Sequence, residues 1–368
     1  MKILKKTKNF FLDFYNHVLI HFNKKIGKQY IPDIYKSINI ENTSICNLGC
    51  KFCGYHKRDN KIHPLKTMTQ EDFEKTVKEV IALGYRNIGL SPTTGDVFMD
   101  KRFIEKLHFL ENQKKLDGYY FYTNFIPLKK DDLLKILKFK KLDFMGISIY
   151  GHDLNTFIKF ADSTKSAYKK LLENLKELNS ILNKKNLDLK ILIGHRTEKN
   201  FEIKNFLQGS DLVIELNKLK NHVNVGYQYT SEYNNWGGMI EDIDVKSLNI
   251  NLNKKTFKKN GSCSLIYSRM IIGSNGEVNA CACRDANYSL SIGNIFKSSL
   301  NKILSSGNSK YLDLIERQEK NDFPDVCSSC DFYTSIYSHD HHVGFQKKSS
   351  IDYINLKKFK DIISSRQK

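Results

Sequence analysis

Residues 41 to 57 read ENTSICNLGCKFCGYHK, with cysteines at 46, 50 and 53, and the next cysteine lies more than two hundred residues further on. The stretch directly follows a short β-type run, SINIEN (37 to 42), so the triplet sits on the loop after a first strand. A structural zinc site takes four N or S ligands, so the triplet lacks one unless His56 supplies it. A four-iron, four-sulfur cluster held by three thiolates instead keeps one iron open for a non-protein ligand.

Outward from the triplet, strand and helix patterns alternate, the signature of an α/β domain with a parallel sheet. TQEDFEKTVKEVIALG (69 to 84) predicts an amphipathic helix with Thr69 as N-cap and Gly84 as its stop. NIGLSP (87 to 92) follows as a second strand, then a helix over 101 to 114, YYFYTN (119 to 124) and a helix over 130 to 138. DFMGISIY (143 to 150), a long helix over 165 to 183, LKILIG (189 to 194) and VNVGYQ (224 to 229) complete six β/α units. No Gly-rich phosphate loop follows strand one, which argues against a dinucleotide-binding doubly wound sheet and favours a partial (β/α)6 TIM-like barrel with its site at the C-terminal strand ends. After WGGMI (236 to 240) the alternation stops, and a cysteine-bearing segment begins. The expected organisation is a basic amphipathic N-terminal segment over 1–36, the barrel over 37–240, a small cysteine domain over 241–338 and a basic tail over 339–368.

Composition fits a globular enzyme, with 40% hydrophobic and 12% aromatic residues and five prolines. No apolar run approaches the about twenty residues of a membrane span, and no secretory cleavage pattern is present, so a cytoplasmic protein is expected. The net charge of +19 is a diffuse lysine excess, which does not favour a nucleic-acid partner. Phe11, Phe14, Tyr15, Val18, Leu19 and Phe22 recur at helical spacing between lysines. Packing of this stripe on the barrel is expected over peripheral contact with a membrane.

The eight cysteines form two groups, the triplet and Cys263, Cys281, Cys283, Cys327 and Cys330. In a reducing compartment such groups point to metal ligation rather than disulfides. The motif CxxxCxxC with an aromatic before the last cysteine, here Cys46, Cys50, Phe52 and Cys53, resembles that of the radical SAM superfamily. The resemblance implies a 4Fe-4S cluster whose open iron binds S-adenosyl-L-methionine, reductive cleavage to a 5′-deoxyadenosyl radical and hydrogen abstraction from substrate. It also implies an external electron donor such as flavodoxin or ferredoxin. Gly95 and Asp96 of TTGD match the family's Gly-Gly-Glu-like turn for the methionine amino group, with a shorter acid. Thr123 and Asn124 match its Thr-Asn strand ending, and Ser148 the serine near the SAM ribose and carboxylate. Tyr150 replaces the family's aspartate and is a candidate catalytic residue, while His195 and Arg196 lie where a cofactor carboxylate contact arises.

The second group resembles the SPASM, or reduced Twitch, auxiliary-cluster region through Cys263, Gly276, Cys281 and the CSSC pair Cys327 and Cys330. The full pattern needs about seven cysteines for two clusters, so five imply one second 4Fe-4S auxiliary cluster, held by Cys263, Cys281, Cys327 and Cys330. Cys283 is left over, as a spectator, an alternative ligand or a hydrogen donor to a substrate radical. Alternation along a strand through 281 to 283 places both thiols on one side. The cluster of His339, His341 and His342 reads as part of a solvated tail.

Relatives of this kind modify ribosomal peptides or act on sugars and cyclitols. Only 45 residues precede Cys46, too few for a peptide-recognition domain of about eighty residues, so a carbohydrate-type small molecule oxidised at a secondary alcohol is the expectation. A sugar epimerase or a peptide-modifying enzyme is the alternative, and a zinc module binding nucleic acid is the non-enzyme rival.

Overall fold

The computed structural model describes residues 2–184, 188–253, 258–339 and 352–366, with side chains from residue 14 onward. Its frame is one nine-stranded sheet, whose strands we number β1 to β9. Six are the expected parallel strands: β1 (Ser37–Ile40), β2 (Asn87–Gly89), β3 (Gly118–Thr123), β4 (Leu142–Tyr150), β5 (Lys190–Arg196) and β6 (Val225–Thr230). They pair in chain order, and every neighbouring pair is parallel. This is the partial β/α barrel expected from the alternation.

The helices form where apolar residues recur on one face. The helix Gln70–Ala82 buries Phe73, Val77 and Val80, and Thr69 caps it by accepting a hydrogen bond from the Asp72 amide. Gly84 ends it with a φ of 98°, a conformation in which a side chain would be strained. A helix over Leu154–Ala161, absent from the sequence reading, precedes the long helix Lys165–Lys184. It starts from a capping box, Asp153 with Thr156, which a search for hydrophobic periodicity passes over.

The cysteine segment extends the sheet. β7 (Ile271–Ile272) pairs in parallel with β1, and β8 (Glu277–Asn279) and β9 (Ser291–Asn294) continue antiparallel at that edge. β8 ends at Asn279, with a register shift between Val278 and Asn279, so Cys281 to Cys283 lie in bent chain rather than in the expected strand.

Both termini depart from expectation. α1 (Lys2–Lys25) is a long helix, but Phe14, Tyr15, Val18 and Phe22 are exposed instead of packed on the barrel and Leu19 is half-buried, because Ile20, Asn23 and Lys24 hold the helix to the body. Phe11 lies outside the described side chains. The C-terminal segment is no free tail where it is described. Tyr353–Ile354 pairs with Ile31–Pro32, and the helix Leu356–Ser365 buries Phe359 and Ile363. His339 stacks edge-on with Tyr30, whereas His341 and His342 lie outside the described residues.

Candidate active site

A cavity of about 700 Å³ opens at the C-terminal ends of the parallel strands. Cys46, Cys50 and Cys53 face into it from the loop after β1. Backbone contacts clamp that loop: the Asp96 amide donates to the Ile45 carbonyl (2.9 Å), and the Gly49 amide to the Ala161 carbonyl (2.9 Å). Tyr55 Oη accepts from the Cys46 amide (3.2 Å), and Trp236 Nε1 donates to the Phe52 carbonyl (3.0 Å). The Phe52 ring packs against Tyr150 and Tyr233, at centroid distances of 5.3 and 4.7 Å.

Burial pushes the Cys46 thiol up to about 12 and Cys53 up to about 11, and drives Cys50 well above its ordinary value. The neighbouring thiols add to the rise at Cys46 and Cys50, while Arg196 lowers Cys50 and Cys53. A bare thiolate is therefore penalised here, and a cationic iron centre removes the penalty. Among the described residues no three His, Cys, Asp or Glu side chains converge tightly enough for a single metal ion. A cluster of several irons takes its thiolates at wider spacing.

The turn after β2 brings Gly95 and Asp96 to the same cavity. A Cβ on Gly95 would stand 2.7 Å from the Thr43 carbonyl oxygen, so only glycine lets this turn cross the loop after β1. The buried Asp96 carboxylate accepts from the Asn124 amide (2.6 Å), Thr123 Oγ1 (3.0 Å) and the Phe98 amide (3.0 Å). Burial raises Asp96 to about 6 against these three donors. Asn124 Nδ2 donates to Asn47 Oδ1 (2.7 Å), and Arg196 Nη1 donates to Ser148 Oγ (3.4 Å). Ser148, Tyr150 and Arg196 all line the cavity.

His195 does not. Alternation along β5 turns it to the helix-facing side, fully buried, where Nε2 donates to the Gly151 carbonyl (2.6 Å) and Nδ1 accepts from Tyr227 Oη (2.7 Å). Burial lowers its pKa to about 4, so it is a neutral packing residue and makes no cofactor contact.

A smaller cavity at the sheet edge gathers Cys263, Cys281, Cys283, Cys327 and Cys330. Gln318 Nε2 donates to Cys327 Sγ (3.3 Å) and the Phe332 amide to Cys330 Sγ (3.2 Å), the pattern that favours thiolates. Burial raises Cys263 to about 11 and raises Cys327 and Cys330 as well. Cys281 and Cys283 share a hydrogen bond that raises the former and lowers the latter, with Arg284 and Arg269 adding to the fall at Cys283.

Cys283 and Arg284 line both cavities. Arg284 stands 3.6 Å from Asp331 and lies over the Phe332 ring at 4.5 Å. Asp331 also faces the larger cavity, and its buried Oδ1 accepts no hydrogen bond. Neither charge was singled out in the sequence, although each directly follows a cysteine.

Six β/α units around three buried thiols, with a second thiol set at the sheet edge, define an iron–sulfur enzyme on a partial barrel. The chain belongs to the radical SAM superfamily: a model of that superfamily matches residues 40–207, and one of the SPASM iron-sulfur cluster-binding domain matches residues 263–331. A radical SAM core carries a 4Fe-4S cluster that binds SAM, and the SPASM domain carries a second, auxiliary 4Fe-4S cluster. The thiol sets just described fit these groups. Among solved structures, the fold is similar to BtrN in complex with AdoMet and 2-DOIA (14% identity, TM-score 0.52, covering 84% of this chain and 98% of that one). It is also similar to Streptococcus suis SuiB bound to precursor peptide SuiA (15% identity, TM-score 0.54, covering 85% of this chain and 74% of that one). No curated protein matches the chain in sequence.

Proposed function

We propose that the protein oxidises a secondary alcohol of a carbohydrate-type small molecule to a ketone, with Cys46, Cys50 and Cys53 holding the SAM-binding cluster and Cys263, Cys281, Cys327 and Cys330 the auxiliary one. One observation carries the reading: the Cys283–Arg284 segment is a wall common to both cavities, so a substrate in the larger one lies next to the auxiliary thiols. Held at the cluster that Cys46, Cys50 and Cys53 would bind, SAM would supply, with an electron from a flavodoxin- or ferredoxin-type donor, the radical chemistry that removes the hydrogen atom from the alcohol carbon. The hydroxyl proton and one electron must then leave together with C=O formation. Asp331, a carboxylate on the same wall that sits 3.6 Å from Arg284, would take the proton, and Cys263, Cys281, Cys327 and Cys330 would hold the auxiliary cluster that accepts the electron. Asp96 anchors the turn that meets the SAM amino group, and Arg196 and Ser148 offer donors to its carboxylate and ribose.

The rest of the wall suits a polyhydroxylated ligand. Gln228, Glu232, Asn234 and Asn253 present amides and a carboxylate, and Tyr122 and Trp236 offer flat apolar faces. No described helix is long and apolar enough to cross a membrane.

Cys283 on the same wall favours one second reading, epimerisation, in which its thiol returns a hydrogen atom to the substrate radical. Anaerobic turnover with a panel of sugars, cyclitols and peptides in heavy water separates the two. For oxidation, a ketone forms and Cys283→Ala retains it with full iron content. Deuterium in the wild-type product and none in the mutant product would establish epimerisation instead.

A further inference from the structure

α1 is amphipathic the wrong way round for a helix of a globular body. Its body-facing side packs Ile20 against the core and is otherwise held by polar contacts. Asn23 Nδ2 donates to the Tyr337 carbonyl (2.9 Å), and Lys24 Nζ donates to Asn260 Oδ1 (3.0 Å) and to the Glu319 carbonyl (2.9 Å). Its solvent side, with the turn that continues it through Ile26, carries Phe14, Tyr15, Val18, Phe22 and Ile26, each 47 to 59% exposed. At about 100° per residue these five positions fall within an arc of about 120°, one continuous stripe along three turns. Solvated helices place such residues inward, and an exposed contiguous apolar surface marks a docking face.

Charge chooses the occupant. Residues 1–28 hold seven lysines against one aspartate, and the whole chain carries +19. A second copy would bring the same positive charge to the contact, which disfavours self-pairing. An anionic surface is complementary, and an aromatic stripe flanked by lysines is the arrangement of helices that lie in a lipid interface. We propose that the exposed face of α1 docks the enzyme on an anionic lipid bilayer, with the Phe14, Tyr15, Val18, Phe22 and Ile26 side chains entering the headgroup region. Asn23 and Lys24 then fix the orientation of the body, because the helix is tied to the domain bearing the auxiliary thiols.

The test uses the full, cluster-loaded protein and cosedimentation with vesicles. Vesicles of phosphatidylcholine with about 30% phosphatidylglycerol should bind it, pure phosphatidylcholine should bind far less, and raising salt from about 0.1 M to about 0.5 M should weaken the binding. Phe14→Ser with Phe22→Ser should lower the partition coefficient at least about tenfold. Both rings are exposed, so iron content and 5′-deoxyadenosine formation should stay as in the wild type, which separates a lost surface from a lost fold. No preference for anionic vesicles, or an unchanged coefficient in the double variant, overturns the proposal. So does a concentration-dependent dimer that the same two substitutions disperse.

Discussion

Lys106→Met tests how the turn proposed to meet SAM is held. Lys106 is fully buried, and its Nζ donates to Asp100 Oδ2 (2.5 Å) and to the Met68 carbonyl (2.5 Å). Asn42 Nδ2 also meets Asp100 Oδ2 (3.2 Å) and the Val97 carbonyl (3.2 Å), so one buried charge pair ties the helix Phe103–Glu111, the end of β1 and the turn that follows Asp96. Removing the cation leaves the Asp100 carboxylate buried with only neutral donors, a change that costs about 3–5 kcal/mol. Across 368 residues, at about 2.1 cal/mol/K each, the unfolding entropy is about 0.8 kcal/mol/K, so a loss of about 4 kcal/mol lowers the melting midpoint by about 5 °C. Differential scanning fluorimetry of the reconstituted protein reads that shift. Because the turn bearing Asp96 loosens, the KM for SAM in 5′-deoxyadenosine formation should rise more than kcat falls. Replacing both partners, Asp100→Leu with Lys106→Met, should recover most of the midpoint, since an apolar pair leaves no uncompensated charge. A single variant that melts within about 1 °C of the wild type, with unchanged KM for SAM, refutes the argument.

Two further outcomes bear on the metal and SAM sites. Replacing Cys46, Cys50 and Cys53 together by Ala should lower iron from about eight to about four per chain and abolish 5′-deoxyadenosine formation, while the auxiliary cluster's absorption persists. Asp96, raised by burial to about 6, contributes stability that is full below the ordinary carboxylate value of 3.8 and is lost as pH rises through about 6. A cationic SAM amino group offsets the cost of the ionised form, so SAM binding should weaken as pH falls below about 6, and Asp96→Asn should flatten that dependence in binding isotherms.

Local patterns carried most of what the sequence disclosed. The cysteine triplet and the strand-helix alternation depend on spacing along the chain, and so does the Thr69 cap, whose partner is three residues away. Alternation in β5 was equally legible and would have separated His195 from Arg196, since adjacent strand residues face opposite sides. Arg284 and Asp331 were not legible, because the fold brings them together from positions 47 residues apart, a distance no periodicity spans. The pairing of Ile271–Ile272 with β1 was hidden for the same reason: two residues are too few to show a period, and their partner lies over two hundred residues upstream. The stripe on α1 was visible as a stripe, yet spacing alone does not tell an inward face from an outward one. Asn23 and Lys24 decide that through contacts with Tyr337 and Asn260.

The pairing of β7 with β1, Ile271 against Asn39 and Ile272 against Ile40, has a consequence for how the protein can be divided. A connecting peptide between two bodies would let their separation breathe, and either could be excised. Here the auxiliary hairpin is stitched to the strand that launches the cysteine triplet, so a hydrogen-bonded seam of the sheet helps to set the gap between the two thiol sets. Cutting the chain before Ile271 would strip β1 of a neighbour and leave a raw sheet border open to aggregation. The auxiliary domain is thus an outer stave of the barrel, and the spacing of the two thiol sets is a property of sheet register rather than of a linker.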